Sequence, residues 1–319
     1  MRLNLALLLA LVAAIVLSLL VGRHWIAPGD WIGGDLRSVI IAELRLPRIC
    51  VGLLVGAALG MAGAAMQGYL RNPLADPGLF GVSACAALGA VMSLFLGVAV
   101  SPLVLPLFAL AGAGAGAMLL MLVAGSSGSV LLFTLAGVIL SSLAASLTAL
   151  LINLAPTPFA SAEIVTWLMG ALVDRSWYDV RIGLPLVVAG MLILGRTGKA
   201  LDALTLGDTA ARSMGLDVGK LQRLIVCGLA LTVGSTVAVA GVIGFVGLIV
   251  PHLVRPLVGH RPSALLLPSA LAGAVLVVVA DTLVRLLPFA SEVRLGIVMS
   301  VLGAPFFLVL LIRMRREMA

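Results

Sequence analysis

The sequence predicts an all-α fold, a polytopic membrane protein with about ten transmembrane helices and a cytoplasmic two-helix loop. Two observations carry that prediction. Of the 319 residues, 62% are hydrophobic and only 10% charged, with a mean hydropathy of +1.25; a soluble domain carries about a quarter charged residues. Apolar runs of roughly 20 residues recur along the whole length, each long enough as a helix to cross about 30 Å of hydrocarbon. They do not alternate polar and apolar over about ten residues, as the strands of an outer-membrane barrel do.

The first run, LNLALLLALVAAIVLSLLVG (3–22), exceeds the 7–15 apolar residues or so of a secretion signal and is followed by no small-residue cleavage site, so it reads as a retained helix. Further spans fall near 46–68, 79–100, 103–124, 130–152, 180–195, 222–241, 243–258, 264–284 and 295–312. Pro and Gly punctuate the joins, as in RNPLADPG (71–78), APTP (155–158) and RPS (261–263). EIVTWLMGALVDRSW (163–177) is too short to cross alone and is expected to lie at, or dip into, one surface. Cys50, Cys85 and Cys227 all sit in apolar runs, an odd number with no metal or disulfide spacing.

Ten spans put both termini on one side. With the termini inside, the inner segments hold twelve basic residues (Arg2, Arg71, Arg196, Lys199, Arg212, Lys220, Arg223, Arg255, Arg261, Arg313, Arg315, Arg316) against five acids (Asp76, Asp202, Asp208, Asp217, Glu317). The outer segments balance, so the net charge of +7 falls inside, as the positive-inside rule requires. The basic excess is thus a topology signal rather than a nucleic-acid footprint. It places the polar insert 195–223 in the cytoplasm.

Within the second span, Gly52, Gly56, Gly60, Ala64 and Gly68 recur every four residues, which lets another helix approach closely where lipid supplies no hydrophobic drive. The fifth span carries Ser141, Ser142, Ser146 and Thr148, hydroxyls that could line a solute pathway. In the insert, Asp208 is expected to cap a short helix over 209–214, Gly215 to end it in a left-handed turn, and Asp217 to cap the next span. Leu206, Met214 and Leu216 would be apolar contacts on that element. A weak echo, Ala62-Gly63 ahead of Pro73 and Ala240-Gly241 ahead of Pro251, has the spacing of an inverted repeat.

Four stretches resemble one family. RLPRICVGLLVGAALGMAGAAMQGYLRNPLADPGLFGVS (45–83), LTLGDTAARSMGLDVGK (204–220), GFVGLIVPHLVR (244–255) and LGAPFFLVLLIR (302–313) are similar to the permease subunits of the FecCD family of ABC importers, which take up iron–siderophore, haem and vitamin B12. The resemblance spans nearly the whole chain, in order. It implies one transmembrane permease domain over 1–319 in a bacterial inner membrane, working as a homodimer with the pathway at its two-fold interface. It implies a cytoplasmic ABC ATPase dimer, which would hold ATP and Mg2+, and a periplasmic or lipid-anchored solute-binding protein. On that likeness Leu206, Gly207, Asp208, Arg212, Met214 and Gly215 would couple to the ATPase. Arg45, Arg48 and Arg285 would receive acidic residues of the binding protein, and Ser126, Ser127 and Ser129 would close the inner exit. SEVRLGIV (291–298) departs from the family pattern, with Arg294 where a proline is usual.

The chain's two lysines, Lys199 in TGKA and Lys220 in VGKL, do not fit a P-loop, so no cofactor is expected on this chain. An ion-coupled carrier needs ionisable groups at mid-membrane, and the spans are nearly free of them; Asp281 and Glu163 lie near ends. GSSG (125–128) with His252 has the residue types of an intramembrane serine protease, but its serines fall in a surface turn.

Overall fold

The computed structural model describes residues 2–22, 25–125, 129–287 and 292–318, with side chains for all of these except 79 and 313–318. Every regular element among them is helical. In order they are α1 (Arg2–Leu20), α2 (Leu36–Val39) running through a π turn (Ile40–Arg45) into α3 (Leu46–Leu70), a 3-10 turn (Pro77–Phe80), α4 (Val82–Phe95), α5 (Val104–Ala124), α6 (Val130–Asn153) and α7 (Pro158–Leu168). Then follow α8 (Trp177–Arg196), α9 (Gly198–Leu204), α10 (Asp208–Ser213), α11 (Val218–Ala240), α12 (Val246–Val254), α13 (Pro262–Leu286) and α14 (Leu295–Met318).

Among the described residues, eight helices are long and apolar enough to cross a membrane, and the expected spans at 79–100 and 243–258 are shorter. The reason lies in the backbone. Pro77 and Gly81 turn the chain before α4 can start. Phe245, at φ 66°, breaks the path between α11 and α12. The polar ends are set by side chains that replace missing helix bonds. Ser129 Oγ accepts from the Leu132 N–H at 3.3 Å, and Thr157 Oγ1 from Ala160 at 3.1 Å. Ser176 and Asp179 form a reciprocal capping box on α8.

Two helices, α3 and α11, are buried on most sides, while α1, α6, α8 and α14 leave most of their length open. Lipid gives no hydrophobic reward for helix contact, so close packing has to supply it. The glycine row on α3 does so against α13. Gly56 and Gly273 face each other so closely that a Cβ on either would sit 2.2 Å from the other's carbonyl oxygen, and a Cβ on Gly60 would sit 2.1 Å from that of Ser269. Gly63, off that row, meets the backbone of α12 at Gly247 in the same way. The proposed internal echo is not structural: Gly63 is mid-helix, whereas Gly241 ends α11 with φ 71°.

The segment 163–177 is a short helix, α7, and a return loop. Gly170 O accepts from Gly296, and Ala171 N–H donates to Ala240 O, which ties the loop to the ends of α14 and α11. Arg175 adds a donation to Val239 O at 2.9 Å.

Candidate functional site

The expected site residues form four groups, and those among the described residues fall in separate places. The insert forms one end of the bundle. Gly207, at φ 94°, is the N-cap of α10, so Asp208 is its first helical residue and does not cap it as expected. With the cap position taken by glycine, the Asp208 carboxylate turns away and pairs with Arg71 at 2.9 Å. The other end of α10 follows the expectation. Gly215, at φ 84°, donates to Arg212 O and Leu216 donates to Ala211 O, the two bonds of a Schellman turn. Asp217 then caps α11, accepting from the Lys220 N–H at 2.8 Å. That bond, with Arg223 and Lys220 nearby, holds its carboxyl below the usual carboxylate range.

The apolar side chains of the insert divide. Leu201 and Leu204 are buried in the core, and Leu216 is half-buried against it. Leu206 and Met214 are 65% and 58% exposed. The insert is thus anchored from below and presents a small apolar face outward. Sequence reasoning missed what fixes it sideways. Asp202 of α9 accepts from the Ser263 N–H at 2.8 Å, from Ser263 Oγ at 2.6 Å and from Arg261 at 3.1 Å. Burial opposes its ionisation, but these donors outweigh it and hold the carboxyl below its ordinary value. A partner some 60 residues away leaves no local signal.

At the opposite end of α3, the three arginines come together. Their heads are turned inward: Arg45 and Arg285 are 8% and 7% exposed. Arg45 donates to the Leu19 carbonyl. Arg285 donates to the backbone and hydroxyl oxygens of Ser18, and lies 3.4 Å from Asp281. Arg48 grips Asp281 with Nε and Nη2 at 2.8–3.1 Å and pairs with Glu292 at 2.8 Å. Neither acid was foreseen as the partner of Arg48, because 233 residues separate Arg48 from Asp281. Burying so much charge is tolerable only because it is paired and hydrogen-bonded. The cluster nevertheless keeps an opening: Arg45, Arg48, Arg285 and Glu292 line a pocket of about 230 Å3.

The pathway residues split by helix periodicity. α6 packs on its own bundle through a stripe of Phe133, Ala136, Gly137, Ala144 and Thr148. Tyr69 and Phe80 hold Phe133, with ring centroids at 5.3 and 5.4 Å. Thr148 therefore faces the chain's own interior, unlike the other three hydroxyl residues. Ser142 and Ser146 lie on the open side and Ser141 at its margin. Of the gate residues, Ser126 and Ser127 lie outside the described residues, and Ser129 serves as the cap of α6. The backbone next to them is fastened to α11, since Gln222 Nε2 donates to Gly125 O at 3.1 Å. His252 packs edge-on against Phe306, ring centroids 6.0 Å apart.

The chain is similar to known proteins over almost its whole length. Residues 9–313 match the model of the FecCD transport family. The Fe(3+) dicitrate transport system permease protein FecD of Escherichia coli is 41% identical over 287 residues, covering 90% of this chain and 89% of that one. The vitamin B12 import system permease protein BtuC of Salmonella typhi is 38% identical over 314 residues, covering 98% and 95%. A solved structure described as an inward-facing conformation of a metal-chelate type ABC transporter superposes with a TM-score of 0.90 at 32% identity, over 98% of this chain and 99% of that one. A multi-pass helical bundle with this fold, matched from end to end, is a transport subunit and not an enzyme: the chain belongs to the FecCD transport family of ABC permeases.

Proposed function

We propose that this chain is the membrane permease of a binding-protein-dependent importer that carries a ferric chelate across the bacterial inner membrane. The observation that carries this reading is the insert: capped at Gly207 and Gly215, anchored by Leu201 and Leu204, and open at Leu206 and Met214. An apolar pair flanking a short, capped helix suits a helix-in-groove contact. A separate ATPase dimer, holding ATP and Mg2+, seats this face and drives the cycle; Gly207, Asp208, Arg212 and Gly215 shape and flank it. The similarity to iron–citrate and vitamin B12 permeases supports a bulky chelate as cargo.

Residues 1–319 act as one membrane domain with ten passes, the short α4 and α12 among them, both termini cytoplasmic and 195–223 the coupling loop. A second copy packs across the open side of α6, where Ser142 and Ser146 present hydroxyls to the outside with Ser141 at the margin, a polar face that a lipid tail does not suit. On this reading Ser126, Ser127 and Ser129 close the inner exit of that pathway. On the outer face, the pocket between Arg45, Arg48 and Arg285 receives an acidic residue of the solute-binding protein. Electrostatic complementarity there sets orientation and encounter rate more than affinity.

The test is uptake into proteoliposomes holding the permease, its ATPase and the binding protein, supplied with radiolabelled ferric citrate, a ferric hydroxamate siderophore, haem or cobalamin. ATP-dependent accumulation of a ferric chelate is the expected result. Accumulation of cobalamin alone would overturn the cargo, and accumulation driven by a proton or sodium gradient without ATP would overturn the mechanism.

A further inference from the structure

Besides its buried anchors Leu201 and Leu204, the insert has two aspartates that each grip a different helix. Asp202 holds the start of α13 through both the N–H and the hydroxyl of Ser263 and through Arg261. Asp208 holds the end of α3 through Arg71, which occupies the left-handed C-cap of that helix at φ 51°. These are the two helices whose backbones touch at Gly56 and Gly273 and at Gly60 and Ser269. No side chains lie between them at those levels, so nothing there can repack when one is pushed; interiors in such contact transmit strain and do not absorb it.

The far end of the same pair is locked as well. Arg48 of α3 is bidentate on Asp281 of α13 and also holds Glu292, just ahead of α14. From Arg48 to Arg71 the helix runs about 35 Å at 1.5 Å per residue, longer than the hydrocarbon core is thick. A pair fastened at its middle and at one end behaves as a single body, and at the other end the insert has a polar hold on each of its members beside the apolar packing of α9.

We propose that α3 and α13 form a rigid strut that carries displacement of the insert across the membrane to the arginine pocket, with Arg71 and Asp202 as the positioning residues that attach the insert to it. This deepens the importer reading and rests on it. The Asp202 anchor is the stronger, since it uses three donors on a partly covered carboxylate. The Arg71 pair is more exposed, with side chains 38% and 44% accessible, and belongs to the class of solvent-screened contacts that contribute little to stability. Losing it therefore leaves the fold intact while freeing one corner of the insert.

The experiment measures transport per ATP hydrolysed in proteoliposomes of the full importer, for R71A, D202A, the double variant, and the conservative pair R71K and D202E. Each variant is also checked for ATPase co-purification. The ratio is insensitive to how much of the permease folds, and R71A keeps the test usable if D202A folds poorly. The expected result is ATPase retained and hydrolysis continuing, with the ratio lowered severalfold in each alanine variant. In the double variant the loss is about tenfold, within the usual range for coupling between sites, and R71K and D202E recover most of it. An unchanged ratio in the double variant would overturn the strut. So would a fall that tracks loss of the ATPase, because the residues would then serve docking. If wild type itself retains no ATPase, the importer reading fails first, and the strut falls with it.

Discussion

The sign of the charge on Asp202 decides what that residue contributes. Its carboxyl ionises at lower pH in the folded chain than in the unfolded one, where the value is about 3.9. A depressed folded value means the stabilisation is complete above the unfolded pKa and is lost as pH falls through the folded one. Replacing Asp202 by Asn is therefore expected to lower stability by about 1–2 kcal/mol at neutral pH. That gap should narrow as pH drops below about 4. Thermal unfolding of the detergent-solubilised protein across that range checks it, and a gap that widens in acid would contradict the assignment. Gly63 makes the complementary point about packing. Alanine is the better helix former by up to about 1 kcal/mol, yet its Cβ would sit 1.9 Å from the Gly247 carbonyl oxygen. Backbone cannot swing aside, so the clash wins: Gly63→Ala should lower stability by about 1–3 kcal/mol or more, read as a fall in Tm. Gly114→Ala, with nothing within 4 Å of the new atom, should be neutral or better.

At the scale of elements, the insert separates stability from docking. Leu206 and Met214 stand in the open, so Leu206→Asp or Met214→Asp should change stability by no more than about 0.5 kcal/mol. Either is expected to abolish co-purification of the ATPase, which a pull-down beside a melting curve will show. Much of this element was legible. Gly215 and Asp217 behave as their types dictate, because a left-handed turn and a helix cap are local demands. Asp208 was misplaced by one position: a glycine took the cap, and the aspartate found Arg71, 137 positions earlier in the chain. The three arginines were rightly grouped at one end, but their inward orientation was not readable. Only Asp281 beside Arg285 is local, four residues back on α13; the rest depends on Ser18 reaching Arg285, Asp281 and Glu292 reaching Arg48, and the Leu19 carbonyl reaching Arg45 from other parts of the chain. Long-range pairs of that kind decide where a guanidinium points, and they leave no trace in spacing.

The whole bundle was legible in composition and pattern, since only helices and closed barrels satisfy backbone groups in lipid and the apolar runs do not alternate as barrel strands do, and the glycine row on α3 announced a tight neighbour. Which neighbour it was, α13 in place of an adjacent span, was not announced. The two short helices escaped notice because hydropathy counts apolar residues and does not see Phe245 or Pro77 turning the backbone. A dimer across the open side of α6 predicts that Ser146→Cys, in a background lacking Cys50, Cys85 and Cys227, forms cross-linked dimers in membranes with a short bifunctional reagent. Leu9→Cys on exposed α1 should not. Cross-linking at both positions or at neither would place the interface elsewhere. The central claim is that the insert is where an ATPase engages. It is tested most directly by a mild-detergent pull-down of the tagged chain from its native host, wild type beside Gly215→Arg. The account predicts that a nucleotide-binding ATPase comes down with wild type and is lost from the variant, whose arginine strains the φ 84° turn and protrudes beside Met214. No ATPase with wild type, under conditions that preserve other membrane complexes, would contradict it.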